Sequence, residues 1–165
     1  MTTVLAVDLG SASGRVLAGT LTDGRLDVTD IHRFKHEARR RADGTLTWDV
    51  ATMEAETIIG LKKALEQFPD AKTVSIDTWG VDWAPLDDNG ELVGDVIAYR
   101  DERTSRTLDA FRDRIADREF FDLTGNQPAN NNTANQLLAF LREDPEGGAH
   151  VRNVPLLPAI HISEP

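Results

Sequence analysis

The chain has 165 residues, a net charge of −10 and no cysteine. An acidic surface repels nucleic acid and anionic lipid on average, no apolar run approaches the ~18 residues of a membrane span, and disulfides and thiolate metal sites are excluded. Hydrophobic residues make up 40% and charged residues 28%, the balance of a globular domain with a core of its own.

The opening MTTVLAVDLG has no basic region ahead of its apolar residues, so it does not read as a signal peptide, and the lack of cysteine fits a reducing cytoplasm, the location expected. Residues 3–9 are apolar and β-branched and predict a buried strand. A glycine- and serine-rich turn follows, and then RVLAGTLTDGRLDVTDIHRF, in which Asp23-Gly24 predicts a hairpin. Leu26 and Val28 alternate with Asp27 and Thr29, the period of a half-buried strand. The basic run Arg39, Arg40 and Arg41 reads as a solvated loop. TLTWDV suits either a short strand or the entry to a helix.

From Val50 to Phe68 the positions Met53, Thr57, Leu61, Ala64, Leu65 and Phe68 recur at helical spacing. Asp49 is the expected N-cap, and Pro69-Asp70 the stop. TVSID predicts a second buried strand closed by Asp77. VDWAPLDDNGELVG predicts a hairpin turning at Asn89-Gly90. Thr104 to Arg142 reads as helical in two or three pieces, broken at Thr124-Gly125 and at Asn130 to Asn132. Three antiparallel strands leading through a helix to another strand predict an α/β, ribonuclease H-like (actin-like ATPase) mixed sheet with flanking helices.

Two familiar phosphate loops are excluded at Gly10–Gly14. A P-loop needs a lysine with Ser or Thr ahead of a helix, and a dinucleotide fingerprint needs a helix on its third glycine. Here a strand follows. What remains is a hairpin whose backbone N–H groups could form an anion nest, with hydroxyls from Ser11 and Ser13 and a fork from Arg15. Asp8 would repel phosphate unless a cation lay between, which points to Mg²⁺. Gly/Ser-rich hairpins also occur without ligands. A second feature favours a site: VSIDTWG repeats the layout of LAVDLG, an apolar run, an acid and then a glycine. Two parallel strands ending in acids imply one cleft at a shared sheet edge. Asp82, flanked by Trp79 and Trp83, suits a polyhydroxylated ligand, although either tryptophan alone reads as core.

AVDLGSASGRV at 6–16, IHRF at 31–34, TWDV at 47–50, IDTWGVDW at 76–83 and AYRDERT at 98–104 together resemble the rhamnulokinases of the FGGY group of carbohydrate kinases. TGNQ at 124–127, Asn132-Thr133 and Gln136-Leu137 continue the likeness more loosely. The glycine loop alone marks only the superfamily; DTWGVDW with YRDERT is more specific. The resemblance implies that ATP phosphorylates the 1-hydroxyl of L-rhamnulose in rhamnose breakdown. It places Ser11, Ala12, Ser13, Gly14 and Arg15 on the ATP phosphates, Asp8 with Mg²⁺, and the Gly80 backbone on the sugar. Asp82, Trp79 and Arg100 are further candidates for lining that pocket.

Members of the family are longer and have two domains, and the resemblance puts their general base beyond residue 165. Residues 1–150 are therefore expected to be an incomplete N-terminal kinase domain and 151–165 a divergent or truncated tail, in which Leu156-Leu157-Pro158 is followed by AIHISEP. On that reading apolar surface near Val154 to Leu157 favours self-association or pairing with the missing C-terminal half. A non-catalytic sugar- or nucleotide-binding module, and a kinase for another ketose such as xylulose or fuculose, are the alternatives.

Overall fold

The computed structural model describes residues 1–156. The chain divides into two compact units: Met1–Ala38 with Asp49–Gly80, and Arg39–Trp48 with the chain from Val81 on.

In the first unit β1 (Thr2–Leu9), β2 (Ser13–Thr22) and β3 (Arg25–Lys35) form an antiparallel meander, and β6 (Val74–Thr78) pairs parallel to β1. The sheet order is β3-β2-β1-β6, the mixed sheet expected of a ribonuclease H-like (actin-like ATPase) fold. Asp23 and Gly24 both take positive φ, 50° and 81°, as a two-residue hairpin turn of this hand requires. The helix α1 (Val50–Gln67) starts where Asp49 accepts the Thr52 N–H and stops at Phe68. Leu5, Val7, Val16, Ala18 and Ala64 form the core, with Leu61, Phe68 and Ile76 packed around them. Gly60 sits where the helix meets the sheet. A Cβ there would lie 2.4 Å from Val16 Cγ2, so the glycine sets how closely helix and sheet approach, while Leu65 stays exposed.

Two strand expectations are corrected. Leu26 and Val28 are not half-buried; each is 60% exposed. Register places them opposite Leu21 and Gly19, on the face turned away from Val16 and Ala18. The α1 helix covers only the other face, and Val4 and Leu21 are exposed for the same reason. The strand TVSID is not buried either: Val74 is 51% exposed, because β6 is an edge strand paired only with β1.

In the second unit β4 (Arg39–Arg40) pairs with β5 (Leu46–Thr47). The arginine run is thus partly a strand, though exposed, and Arg41 pairs with Asp95. TLTWDV serves both readings, since β5 ends at Thr47 and α1 begins at Val50. The Asn89-Gly90 turn closes through Asp87, whose carboxylate accepts the N–H groups of Asn89 and Glu91. The helices are α2 (Arg103–Arg112), α3 (Asp117–Thr124), α4 (Thr133–Glu143) and α5 (Pro145–His150). Gly125, at φ 71°, caps α3 in the left-handed conformation. The short α5 was not expected from the sequence; Pro145 at its start and the Asp144 cap are its local signals.

A polar seam joins α2 to α4. Asn135 donates to the Thr104 carbonyl at 2.9 Å and accepts from the Thr107 hydroxyl at 3.0 Å. Beside it Trp83 meets Phe140 edge-on at 5.5 Å. Among the described residues no helix is long and apolar enough to cross a membrane. Val154 and Leu156 are exposed; Leu157, Pro158 and the rest of the expected divergent tail lie outside the described residues.

Candidate active site

The glycine-rich loop joins β1 to β2 as a tight reversal. The Gly10 N–H donates to the Ser13 carbonyl at 2.9 Å, and the Ala12 carbonyl accepts the His36 N–H at 3.3 Å. Ala12 is exposed, and Ser11 and Ser13 are half-buried. Gly14 is buried under the Phe34 ring, and a Cβ at Gly14 would fall 2.3 Å from Phe34 Cζ. This glycine is therefore required by packing, apart from any approach of a ligand.

Asp8 and Arg15 are cross-strand partners. The Arg15 guanidinium donates through Nε and Nη2 to one oxygen of Asp8, at 2.7 and 2.6 Å. Asp8 thus holds the fork that the sequence assigns to phosphate. Across the parallel pair, Asp8 lies in register with Asp77, so the two acid-ending strands do meet at one sheet edge. Among the described residues no group of three or more acidic or histidine side chains is arranged to hold a metal ion. Mg²⁺ needs no such cage; it usually takes one or two carboxylates, with waters and phosphate oxygens completing the shell. Asp8 fits that mode of binding.

His36 was missed from sequence. It is buried, lies 6.0 Å from Phe34 between ring centroids, and stacks on Trp79 at 5.5 Å with 25° between planes. The alternation His32, Phe34, His36 was the available signal, because it continues the face that carries Val16 and Gly14. Burial holds the His36 imidazole below its ordinary value of 6.5, and hydrogen bonding with the Gly10 backbone offsets this only in part. The unfolded chain therefore binds more protons between the folded value and 6.5. The stability that the neutral ring supports is complete above 6.5 and is lost as pH falls toward the folded value. Asp43 and Asp87, whose carboxyls are lowered by backbone N–H groups, act only below their ordinary 3.8. His36→Phe keeps the stack and removes the titration. Its unfolding midpoint should change less than the natural chain's between about pH 7 and pH 5; identical pH profiles in thermal melts would refute this.

In the second unit Asp82 has no exposed surface, and its Oδ2 accepts the Trp48 Nε1–H at 2.7 Å. Arg103 is also buried, 4% exposed. Burial lowers its affinity for a proton, and the carboxylates of Glu143, Asp101 and Asp82 oppose that effect. Asp101 accepts the Leu46 and Arg103 N–H groups at 2.8 and 2.9 Å. In YRDERT, then, Asp101, Arg103 and Thr104 point into the protein. Arg100 is exposed and folds back on Tyr99, bonding its hydroxyl at 2.8 Å and lying 5.2 Å from the ring centre.

Trp79 is half-buried and Gly80 exposed. A Cβ at Gly80 would meet nothing within 4 Å. Asp8, the residues Ser11 to Arg15, Trp79 and Gly80 fall in the first unit, Asp82 and Arg100 in the second.

The profile of the N-terminal domain of the FGGY family of carbohydrate kinases matches residues 3–160. The chain is 37% identical over 138 residues to a rhamnulokinase of Bacillus subtilis (strain 168), an alignment covering 84% of this chain and 28% of the relative. It is 35% identical over 157 residues to a rhamnulokinase of Mannheimia succiniciproducens, covering 94% and 32%. The chain spans less than a third of the length of these curated relatives. Among solved structures, a xylulose kinase from Rhodospirillum rubrum superposes with a TM-score of 0.79 at 18% identity, over 92% of this chain and 31% of that one. A glycerol kinase from Plasmodium falciparum, solved with ADP, gives 0.74 at 16% identity, over 90% and 30%. At such identities the likeness is one of fold.

Proposed function

The chain belongs to the FGGY family of carbohydrate kinases, and from that premise we propose that it supplies the phosphate hairpin and part of the sugar site of a rhamnulose kinase. The reaction is transfer of the ATP γ-phosphoryl group to the 1-hydroxyl of L-rhamnulose. One observation carries this reading: a hairpin of small residues, closed by the Asp8–Arg15 pair, lies at the same sheet edge as the in-register Asp77 strand end that leads into DTWG. The relatives named as rhamnulokinases support the choice of sugar; the xylulose kinase likeness is of fold.

Each group has a role consistent with its position. Ser11, Ala12, Ser13, Gly14 and Arg15 take the phosphates through N–H groups, hydroxyls and the guanidinium. Asp8 is the carboxylate that would hold Mg²⁺, and the ion when bound would supply charge neutralisation for phosphoryl transfer. Arg15 turns between Asp8 and a phosphate oxygen. Gly80 offers its main chain to sugar hydroxyls beside Trp79. Asp82, with no exposed surface, acts by holding Trp48.

The test is calorimetry on this chain with Mg·ATP, L-rhamnulose, L-fuculose and D-xylulose, paired with a coupled ADP-release assay on a chain extended through a second domain. L-Rhamnulose should bind at least about tenfold more tightly than either other ketose, the discrimination that a few placed hydrogen bonds supply. Equal or reversed preference in both experiments refutes the substrate assignment.

A further inference from the structure

Val81 stands at φ 77°. A β-branched residue in the left-handed region is a strained one, and such strain persists only where the surroundings over-determine it. Among the described residues the one other non-glycine residue with positive φ is Asp23, which turns a tight hairpin. Val81 turns no such hairpin, so something must hold it.

The holder is α4. Gln136 has no exposed surface. Its Nε2 donates to the Val81 carbonyl at 3.0 Å and to the Asn131 carbonyl at 2.9 Å. The Thr133 hydroxyl adds a long bond of 3.5 Å to the same Val81 carbonyl. Asn135, the neighbour of Gln136, locks α4 to α2, so the clamp stands on a rigid base. On the far side of Val81, Asp82 is fixed through Trp48. With the Val81 carbonyl and the Asp82 side chain both pinned, the chain beyond Val81 is fixed, and φ of Val81 sets the direction in which the Gly80–Val81 peptide leaves that frame.

The peptide ahead of Val81 is the one so aimed. Gly80 needs no glycine on steric or conformational grounds: its φ is not positive, and a Cβ would meet open space. A glycine that neither crowding nor backbone requires, next to a residue held under strain, marks a main chain kept bare for a ligand. We propose that Gln136, assisted by Thr133, is a positioning residue that clamps Val81 in the left-handed conformation and thereby aims the Gly80–Val81 peptide at the sugar hydroxyls. This rests on the reading that Gly80 meets the sugar.

A double-mutant cycle tests it. Gln136→Met keeps the length and removes both bonds. Val81→Gly makes the left-handed conformation unstrained, so the clamp has less to do. Gln136→Met should weaken L-rhamnulose binding about tenfold with valine at 81 and less than about twofold with glycine there, with Mg·ATP binding changed less than about twofold in both. A purely structural role predicts the same loss in both backgrounds and on both ligands, and that result overturns the proposal. Should Gln136→Met fail to fold, Thr133→Val gives the same comparison with a smaller effect. Absence of ketose binding by the unmutated chain sinks the sugar reading separately. Amide exchange then decides the clamp: exchange at Val81 and Asp82 should quicken about tenfold on Gln136→Met with valine at 81 and not with glycine, and equal rates in the two backgrounds refute it.

Discussion

Asp82→Ala should cost about 3–5 kcal/mol of stability, as removal of one member of a buried charge cluster does. In a chain of this size that lowers the thermal midpoint by roughly 10 °C. The loss has two parts. Trp48 Nε1–H, donated to Asp82 at 2.7 Å, is left without that acceptor. Arg103, 4% exposed, loses one of the three carboxylates that offset its burial. Asp82→Asn separates them, since it can keep the acceptor for Trp48 while removing the charge. Its cost should be the smaller of the two. Urea unfolding of the three chains is the measurement; an alanine variant within about 1 kcal/mol of the natural chain would show that the buried-charge account is wrong. A direct role on the sugar would have the opposite signature, with Asp82→Asn sparing stability and abolishing ketose binding.

Gly14→Ala is expected to cost about 2–3 kcal/mol, the upper part of the range for overpacking. The added methyl would stand 2.3, 2.7 and 2.8 Å from three atoms of the Phe34 ring. That ring cannot retreat easily, because it is buried with the rings of His32 and His36 at 5.9 and 6.0 Å. Backbone conformation adds nothing, since φ at Gly14 is not positive. Gly10→Ala, where the nearest atom would be 3.4 Å away, should cost under about 1 kcal/mol. Phe34→Leu should recover part of the Gly14→Ala loss. Chemical denaturation that finds Gly14→Ala as mild as Gly10→Ala would shift the requirement for Gly14 from the ring to a bound phosphate.

What the sequence disclosed was local. Asp49 announced the start of α1, Asp23-Gly24 and Asn89-Gly90 the two hairpins, and Thr124-Gly125 the end of α3, because caps and turns are read by side chains a few residues away. The antiparallel meander followed from the period and the hairpin turn, and the acids that close β1 and β6 pointed to a shared sheet edge. What stayed hidden depended on partners far along the chain. Leu26 and Val28 alternate as a half-buried strand should, and only the pairing shows that α1 covers the other face. Asp82 beside two tryptophans suits a ligand pocket, and its bond to Trp48, 34 residues distant, has no signal in that stretch. The resemblance singled out Arg100 for the sugar pocket, but nothing in the motif shows that Arg100 is exposed and Arg103 is the arginine inside. The left-handed backbone at Val81 had no signal at all, since valine is a residue that argues against it.

The pairing of Asp8 with Asp77 also has a kinetic side. The β1–β2 and β2–β3 hairpins join neighbours in sequence and can form early, whereas the register Asp8↔Asp77 closes a loop of 69 residues, 77 minus 8. Closing such a loop must be accomplished before the contacts reward it, which makes β6 a late arrival in folding. Truncations in β6, such as Ile76→Ala, should then speed unfolding and leave the refolding rate nearly unchanged, a φ-value near zero; a value near one would mean that β6 belongs to the nucleus. On this account the meander is assembled first, and the two carboxylates are brought side by side only in the final passage to the native state.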